Sequence, residues 1–255
     1  MHRAHGYIAS LLLTAALAAP VAMVAAPVPQ EASVHVRVYD RTHKDYHNWD
    51  DNVVAAAFKG AADLAVARQR LSDALGATAF DIERHAGRID AETGWAYVGM
   101  DLSPAPLKDV SIGAAIENLT TQPVGSSGTL TAAATITSAI REIKVKQTGY
   151  SGLMLPILED SLLSQRWSEG RLSIDALLSY SAVCGTGLDT IPLPGDISAE
   201  QLSLIIGDMA SLAFKWHKPL AARLLPVAGM APGDTTAFDD PFLVNAVLQP
   251  PPGSK

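Results

Sequence analysis

Cys184 is the one cysteine of the chain, set between Val183 and the run Gly185-Thr186-Gly187. Glycines on its C-terminal side let backbone approach a bound molecule closely, which is a setting for a nucleophile. A thiolate would need a neighbouring cation or base, and His217 and Arg223 are the partners the sequence offers. The competing reading is a small buried hydrophobe. Carboxylates are the second resource. Asp101 falls at the end of an expected strand, Glu117 on a short helix, and Glu159 and Asp160 at a helix start. Asp189 and Asp196 close the turns Gly187-Leu188-Asp189 and Pro194-Gly195-Asp196. In open α/β sheets ligands lie outside the carboxyl ends of the strands, so these acids are expected to line one pocket. Two converging carboxylates hold a divalent cation, or split their pKa values for acid–base work. Cys184, Asp189 and Glu117 are therefore the expected catalytic groups. Asp101, Glu159, Asp160, Arg223 and Asn245 are the expected binding groups. Separate duties are the alternative: helix-start charges for Glu159 and Asp160, and a turn for Asp196.

No familiar motif selects a cofactor. Gly149-Tyr150-Ser151-Gly152 lacks the spacing of a nucleophile elbow. Gly125-Ser126-Ser127-Gly128 is not followed by the Lys and Ser/Thr of a phosphate-binding loop, and no dinucleotide fingerprint is present. His43 and His47 are four apart with Asp45 between them. On a helix both rings would share a face and could hold a metal. No third ligand stands at a firm spacing, so a solvated polar segment is the other reading. Cofactor and metal stay unknown at this stage.

The elements that must position these groups alternate in type. Residues 34–39 alternate Val with polar residues, the period of a short strand. Residues 53–92 are helical in pattern, with Gly76 as an expected break and Gly94 as the stop. Residues 95–102 read as a buried strand, and Pro104 and Pro106 force a loop after it. Helices are expected over 110–119 and over 129–143, the second capped by Ser127 or Thr129. Residues 150–155 make another strand, stopped by Pro156. A helix follows Glu159 and Asp160, and another runs over 173–182 from Ser173. Residues 183–188 form a tight glycine-bearing element. Ser198 opens a helix through Trp216, residues 220–227 are a strand carrying Arg223, and 242–248 is a last strand. Strands alternating with helices predict an α/β fold with mostly parallel strands.

Bulk properties narrow the partners. The 255 residues are 48% apolar and 18% charged, enough to bury a core. A net charge of −7 argues against nucleic acid, whose binders need a basic footprint. A single cysteine excludes an intrachain disulfide and a cysteine-rich zinc site. Residues 1–26 have a weakly basic start and a Leu/Ala-rich run ending in Val24-Ala25-Ala26, the pattern of a cleaved export signal. An N-terminal anchor and a misplaced start codon are the alternatives; Pro20 and the many alanines weigh against a spanning helix. Residues 27–53 are expected as a linker and polar segment, 54–249 as the α/β domain, and 250–255 as a tail.

Several blocks carry a resemblance. They are TGWAYVGMDLSPAP (93–106), SIGAAIE (111–117), GYSGLMLPILED (149–160) and YSAVCGTGLDTIPLPGD (180–196). KPLAARLLPVAGMAPGD (218–234) and the stretch 238–245 complete the set. With these the chain resembles the bacterial and archaeal family called domain of unknown function 711, over about three quarters of its length. The resemblance implies an α/β barrel like that of pyruvate formate-lyase, and no known activity. The Arg-Val-x-Gly-Tyr loop of glycyl-radical enzymes is absent, so Cys184 gains no radical role by analogy. Family members are longer at the N-terminus and look cytoplasmic. The chain is thus expected to be a partial barrel, with DRTHKDYHNWDDN (40–52), similar to a segment of small exported bacterial proteins, in place of the first strands. An exported or periplasmic location follows if the signal is genuine, a cytoplasmic one by resemblance.

These readings define an enzyme acting on a small polar or anionic substrate, with Arg223 steering an anion. A non-catalytic ligand-binding or regulatory module, or an inactive remnant, are the alternatives. A small-molecule ligand, no nucleic acid, no stable membrane span after signal cleavage and a homo-oligomer are the partner expectations.

Overall fold

The computed structural model describes residues 50–253. The expected signal, the strand at 34–39 and the His43/His47 pair lie outside these residues.

The chain begins with α1 (Asp50–Phe58) and α2 (Leu64–Thr93). The break between them lies at Gly60, with φ of 62°, and at Asp63, whose carboxylate accepts from the Val66 N–H at 2.8 Å. It does not lie at the expected Gly76, which continues inside α2. One glycine costs a helix about 1 kcal/mol against alanine, and burial of the flanking Leu71, Leu75 and Ala79 outweighs that. Gly94 stops α2 as expected, in the left-handed conformation at φ 74°. All the buried residues of α2 lie between Ala67 and Ala79. Its second half exposes Phe80, Ile82 and Ile89.

The remaining helices are α3 (Ile112–Thr120), α4 (Thr129–Glu142), α5 (Ser161–Ser168), α6 (Ile174–Ser181) and α7 (Ala199–Trp216). Side-chain oxygens satisfy the otherwise unpaired first N–H groups of most of them. Ser111 caps α3, Asp160 caps α5 and Ser173 caps α6. Ser198 and Gln201 form a reciprocal capping box on α7. α4 is the exception: Gly128 takes the cap position without a side-chain bond, and the Thr129 hydroxyl accepts from the Gly125 N–H instead.

Two strands pair, β1 (Gly187–Pro194) and β2 (Ala221–Val227), in parallel. β2 is the strand expected at 220–227, whereas β1 arises where a tight element and turns were expected. The strands expected at 95–102 and 150–155 do not form a ladder, and isolated bridges stand within the first and beside the second. Met100 pairs with Gln147, Lys108 with Asp160 and Pro156 with Asp189, all in parallel. Gly99 at φ 139°, Gly149 at φ 62° and Ser151 at φ 40° interrupt any regular ladder there. Trp95 and Val98 are exposed, against the expected burial. Residues 242–248 make one antiparallel bridge, Val247 to Thr235. The described residues are thus mixed α/β around a parallel two-stranded layer.

One apolar cluster unites the layer and the helices, from Val54 and Leu71 through Ile136 and Trp167 to Leu188 and Ala246. Trp167 is buried, and its indole N–H donates to the Val247 carbonyl at 3.0 Å, so the largest core side chain leaves no polar atom unpaired. Gly152 and Gly185 cross backbone to backbone: a Cβ on Gly152 would lie 2.8 Å from Gly185 Cα. No helix among the described residues is long and apolar enough to cross a membrane.

Candidate functional site

The pairing of β1 with β2 is irregular at one place. Leu188 pairs with Ala222 and Ile191 with Leu224, so Asp189 and Thr190 together face Arg223. This is a β-bulge, a feature that re-aims side chains beside sites. The neighbouring segment pins it: the Ile157 N–H donates to the Asp189 carbonyl at 3.0 Å, and the Leu158 N–H to Thr190 Oγ1 at 3.1 Å. Thr190 has φ of 47°. A β-branched residue is an outlier in that region, and such strain persists only where the surroundings enforce it.

The bulge brings three charged side chains together. Arg223 donates from Nε to Asp189 Oδ1, and from Nη1 to Glu159 Oε1 at 2.8 Å. Asp189 is fully buried, while the Glu159 and Arg223 side chains keep 25% and 34% exposure and form the open side. Asp189 Oδ2 is buried and has no hydrogen-bond partner among the described residues. Burial raises the pKa of Glu159, and the charges of Asp189 and Asp240 add to it against the pull of Arg223. Burial works against the Arg223 charge, and the two carboxylates more than overcome it, so its pKa is raised.

Tyr150 stands beside this group. Burial first, then the charges of Asp189 and Asp101, raise its phenol pKa against the effect of Arg223. Asp101 accepts from the Tyr150 and Ser151 N–H groups at 2.9 and 3.0 Å, and from the Ser103 hydroxyl at 2.6 Å. It thereby ties the two segments and places the Tyr150 turn. Gly149 is required there, since a Cβ would meet Asp101 Oδ2 at 2.2 Å.

The other expected site residues lie apart from this group in their bonding. Glu117 accepts from Arg166 at 2.7 and 3.0 Å and from the Val124 N–H at 2.9 Å. Arg166 continues to Glu169, making a network between α3 and α5. Burial pushes the Glu117 pKa up, but these donors prevail and it is lowered. Asp160 is buried and accepts from Ser111 Oγ at 2.7 Å and from the Gly113, Leu162 and Leu163 N–H groups. It holds the first turns of α3 and α5, and burial raises its pKa despite those four donors. Asn245 pins its own loop, accepting from Thr236 Oγ1 at 3.0 Å and the Phe238 N–H at 2.7 Å. Asp196 is exposed in its turn. Cys184 is buried at 1% exposure, and its sulfur accepts from the Gly187 N–H at 3.3 Å. Its carbonyl, with that of Ser181, receives the Lys218 ammonium. Among the described residues no group of three or more His, Cys, Asp or Glu is placed to hold a metal.

Of the acids expected to share a pocket, then, Asp189 and Glu159 meet, with Asp101 one residue removed through Tyr150. Tyr150 and Thr190 were not singled out from sequence. For Tyr150 a signal existed, an aromatic directly after a glycine, Gly149. For Thr190 none did, because a bulge follows from pairing between distant segments.

The fold and this buried ionic group describe an α/β protein with a polar centre set into a parallel layer. The comparisons with known proteins give the family. The model of the family described as Uncharacterised ACR (DUF711) matches residues 51–240, and the chain belongs to that family. A UPF0210 protein of Pyrobaculum arsenaticum is 35% identical over 71% of the chain and 42% of its own length. One from Pyrobaculum aerophilum is 39% identical over 64% and 39%. One from Lactiplantibacillus plantarum is 32% identical over 68% and 41%. The chain spans about two fifths of the length of these curated relatives. Relatives thus occur in archaea as well as bacteria, and their names state no activity.

Proposed function

We propose that Asp189, Arg223 and Glu159 form the acid–base centre of an enzyme acting on a small polar or anionic substrate. The observation that carries the reading is Asp189 itself: fully buried, bonded through one oxygen to Arg223, and with its other oxygen without a partner among the described residues, on a strained bulge. A buried charged oxygen without a donor costs more than the roughly 1–3 kcal/mol of a neutral one. A fold that only needed packing would place an apolar residue there.

Each group then has a task. Glu159, with its raised pKa and partial exposure, holds a proton at higher pH than an ordinary carboxyl and passes it to or from the substrate. Arg223 uses two of its donors on the carboxylates, and its remaining N–H groups bind a substrate oxygen. Asp189 fixes the guanidinium plane, and the Tyr150 phenol closes the side toward Asp101. The two-stranded layer is, in this reading, part of a pyruvate formate-lyase-like barrel. Cys184 has no step, since its thiol is enclosed in the core.

The test is thermal unfolding of the full chain with a panel of small carboxylic acids, hydroxy acids and carbonyl compounds. A ligand that binds only the native state raises Tm. A compound that raises Tm in the wild type and not in Glu159→Gln, and that turns over when followed by NMR, is the expected result. Stabilisation without turnover would make the centre a binding site. No stabilisation by any member, or equal stabilisation of the variant, would remove the site.

A further inference from the structure

A concavity lies at the amino ends of β1 and β2, and none of its lining residues belongs to the Asp189 group. It has a volume of about 420 Å³, and its polar lining is Thr137, Ser138, Arg141, His217 and Lys218, with Trp216 as an aromatic wall. Thr137, Ser138 and Arg141 share one face of α4 by their spacing. Trp216 ends α7, and His217 turns the chain in the left-handed conformation at φ 47°, which delivers Lys218 to the cleft.

The charges are of one sign. No carboxylate is among the lining residues. Glu142, next to Arg141 in sequence, is spent on Arg68 at 3.3 Å. Arg141 makes no ion pair among the described residues. The last turns of α4, α6 and α7 reach the cleft, and each helix end carries about half a negative elementary charge. Together those ends offset about one and a half charges, against one full charge each on Arg141 and Lys218. The Lys218 ammonium donates to the Ser181 and Cys184 carbonyls, which leaves one of its three N–H groups for the cleft. Burial, and then repulsion from Arg141, lower the Lys218 pKa, against the opposing effect of Cys184. Hydroxyl donors stand beside the two cations: Thr137 Oγ1 accepts from the Leu153 N–H at 3.1 Å, which leaves its O–H to donate.

We propose that this cleft binds a small oxyanion, the phosphate or carboxylate group of an organic ligand. Arg141, Lys218 and the Thr137 and Ser138 hydroxyls face the oxyanion, and Trp216 and His217 flank the attached carbon skeleton. The volume exceeds what one inorganic anion fills and falls within the range of small-molecule sites. The site is separate from the Asp189 centre, and either reading can fail without the other.

The experiment is isothermal titration calorimetry of the full chain with inorganic phosphate and with succinate. Binding of at least one is expected, and the tighter of the two names the oxyanion. Arg141→Gln is expected to weaken that binding about tenfold, the loss of one charge-assisted pair. Arg84→Gln, which removes the same charge from an exposed pair with Asp81, is expected to leave it unchanged. Arg141 is exposed, so its variant should unfold at the wild-type temperature without anion, which separates lost binding from lost folding. The His217 ring resonances are expected to shift on phosphate titration in the wild type and in Arg84→Gln, and to shift less at the same concentration in Arg141→Gln. Absence of binding by both anions at millimolar concentration, or equal loss in the Arg84 variant, would overturn the proposal.

Discussion

Arg223 pairs with Asp189 across a bulge in which two residues of β1 face one of β2. The pair is asymmetric: Asp189 is wholly enclosed, and Arg223 is one third exposed. Removing the arginine therefore strands a buried charge. Arg223→Met is expected to destabilise the chain by about 3–5 kcal/mol at neutral pH. In an Asp189→Asn background the same change should cost less than half as much. Urea unfolding of the four species forms the cycle, and equal costs in both backgrounds would show that the ion pair is not the cause.

Glu159 titrates in the opposite sense to most paired acids. Its folded pKa lies above the ordinary 4.5, so the folded chain keeps a proton that the unfolded chain has lost. Stability contributed by this group thus falls as pH rises from the ordinary value through the raised one. Glu159→Gln is expected to have a flatter dependence of Tm on pH above about 4.5 than the wild type. The raised Asp160 contributes the same sign in both proteins and drops out of the comparison. Parallel curves would remove the assignment.

Glu117 has the reverse sign. Its folded pKa lies below 4.5, held there by Arg166 and the Val124 N–H against burial. Its contribution is present above the ordinary value and lost as pH falls through the depressed one. Glu117→Gln is expected to destabilise by about 1–3 kcal/mol at pH 7. The gap to wild type should close in acid. A gap independent of pH would point to packing instead of charge.

The Gly152–Gly185 crossing tolerates no side chain. Alanine at either position sets a methyl 2.8 Å from backbone of the other, and backbone cannot swing aside as a side-chain tip can. Gly152→Ala and Gly185→Ala are each expected to cost about 1–3 kcal/mol or more. Gly76→Ala is the control: its methyl would stand 3.7 Å from the Phe80 ring, in ordinary contact, and should stabilise α2 by about 1 kcal/mol. Denaturant midpoints decide the matter.

Cys184 should be silent in the native state. Its burial predicts no reaction with an aromatic disulfide reagent until the chain is unfolded, followed by one equivalent of colour. Rapid labelling of the folded chain would return the thiol to the list of chemical groups.

Helices were the most legible part of the fold in sequence, because a cap and a stop are local. Ser111, Ser173 and Ser198 start helices as their types suggest, and Gly94 ends one. Strands were less so. β2 was readable at 220–227, but β1 was read as a tight element over 183–188 and as turns at Gly187-Leu188-Asp189 and Pro194-Gly195-Asp196. Its prolines do not prevent pairing, since Ile191 to Pro194 stand in register with Leu224 to Val227. The runs at 95–102 and 150–155 have strand composition, yet their glycines approach neighbouring backbone and side chains too closely for a regular ladder. For the site, the acids were visible as residue types but not as partners. Asp189 and Glu159 are thirty residues apart in sequence and meet only through Arg223. Arg141 gave no signal, being one more cation in the last turn of a helix.

The uneven burial of α2 divides one continuous helix into two regions of different lifetime. Thirty residues at about 1.5 Å each make a rod of roughly 45 Å, and it is packed only from Ala67 to Ala79. The second half is held at a few points: Glu83 accepts from the Lys146 N–H at 2.6 Å, Asp90 from the Tyr97 N–H at 2.8 Å, and Gly94 closes the end. Its amides can therefore open in a local event while the core stays closed. Slow hydrogen exchange up to about Ala79 and fast exchange beyond it would make the helix two folding units, with the boundary set by where the core stops.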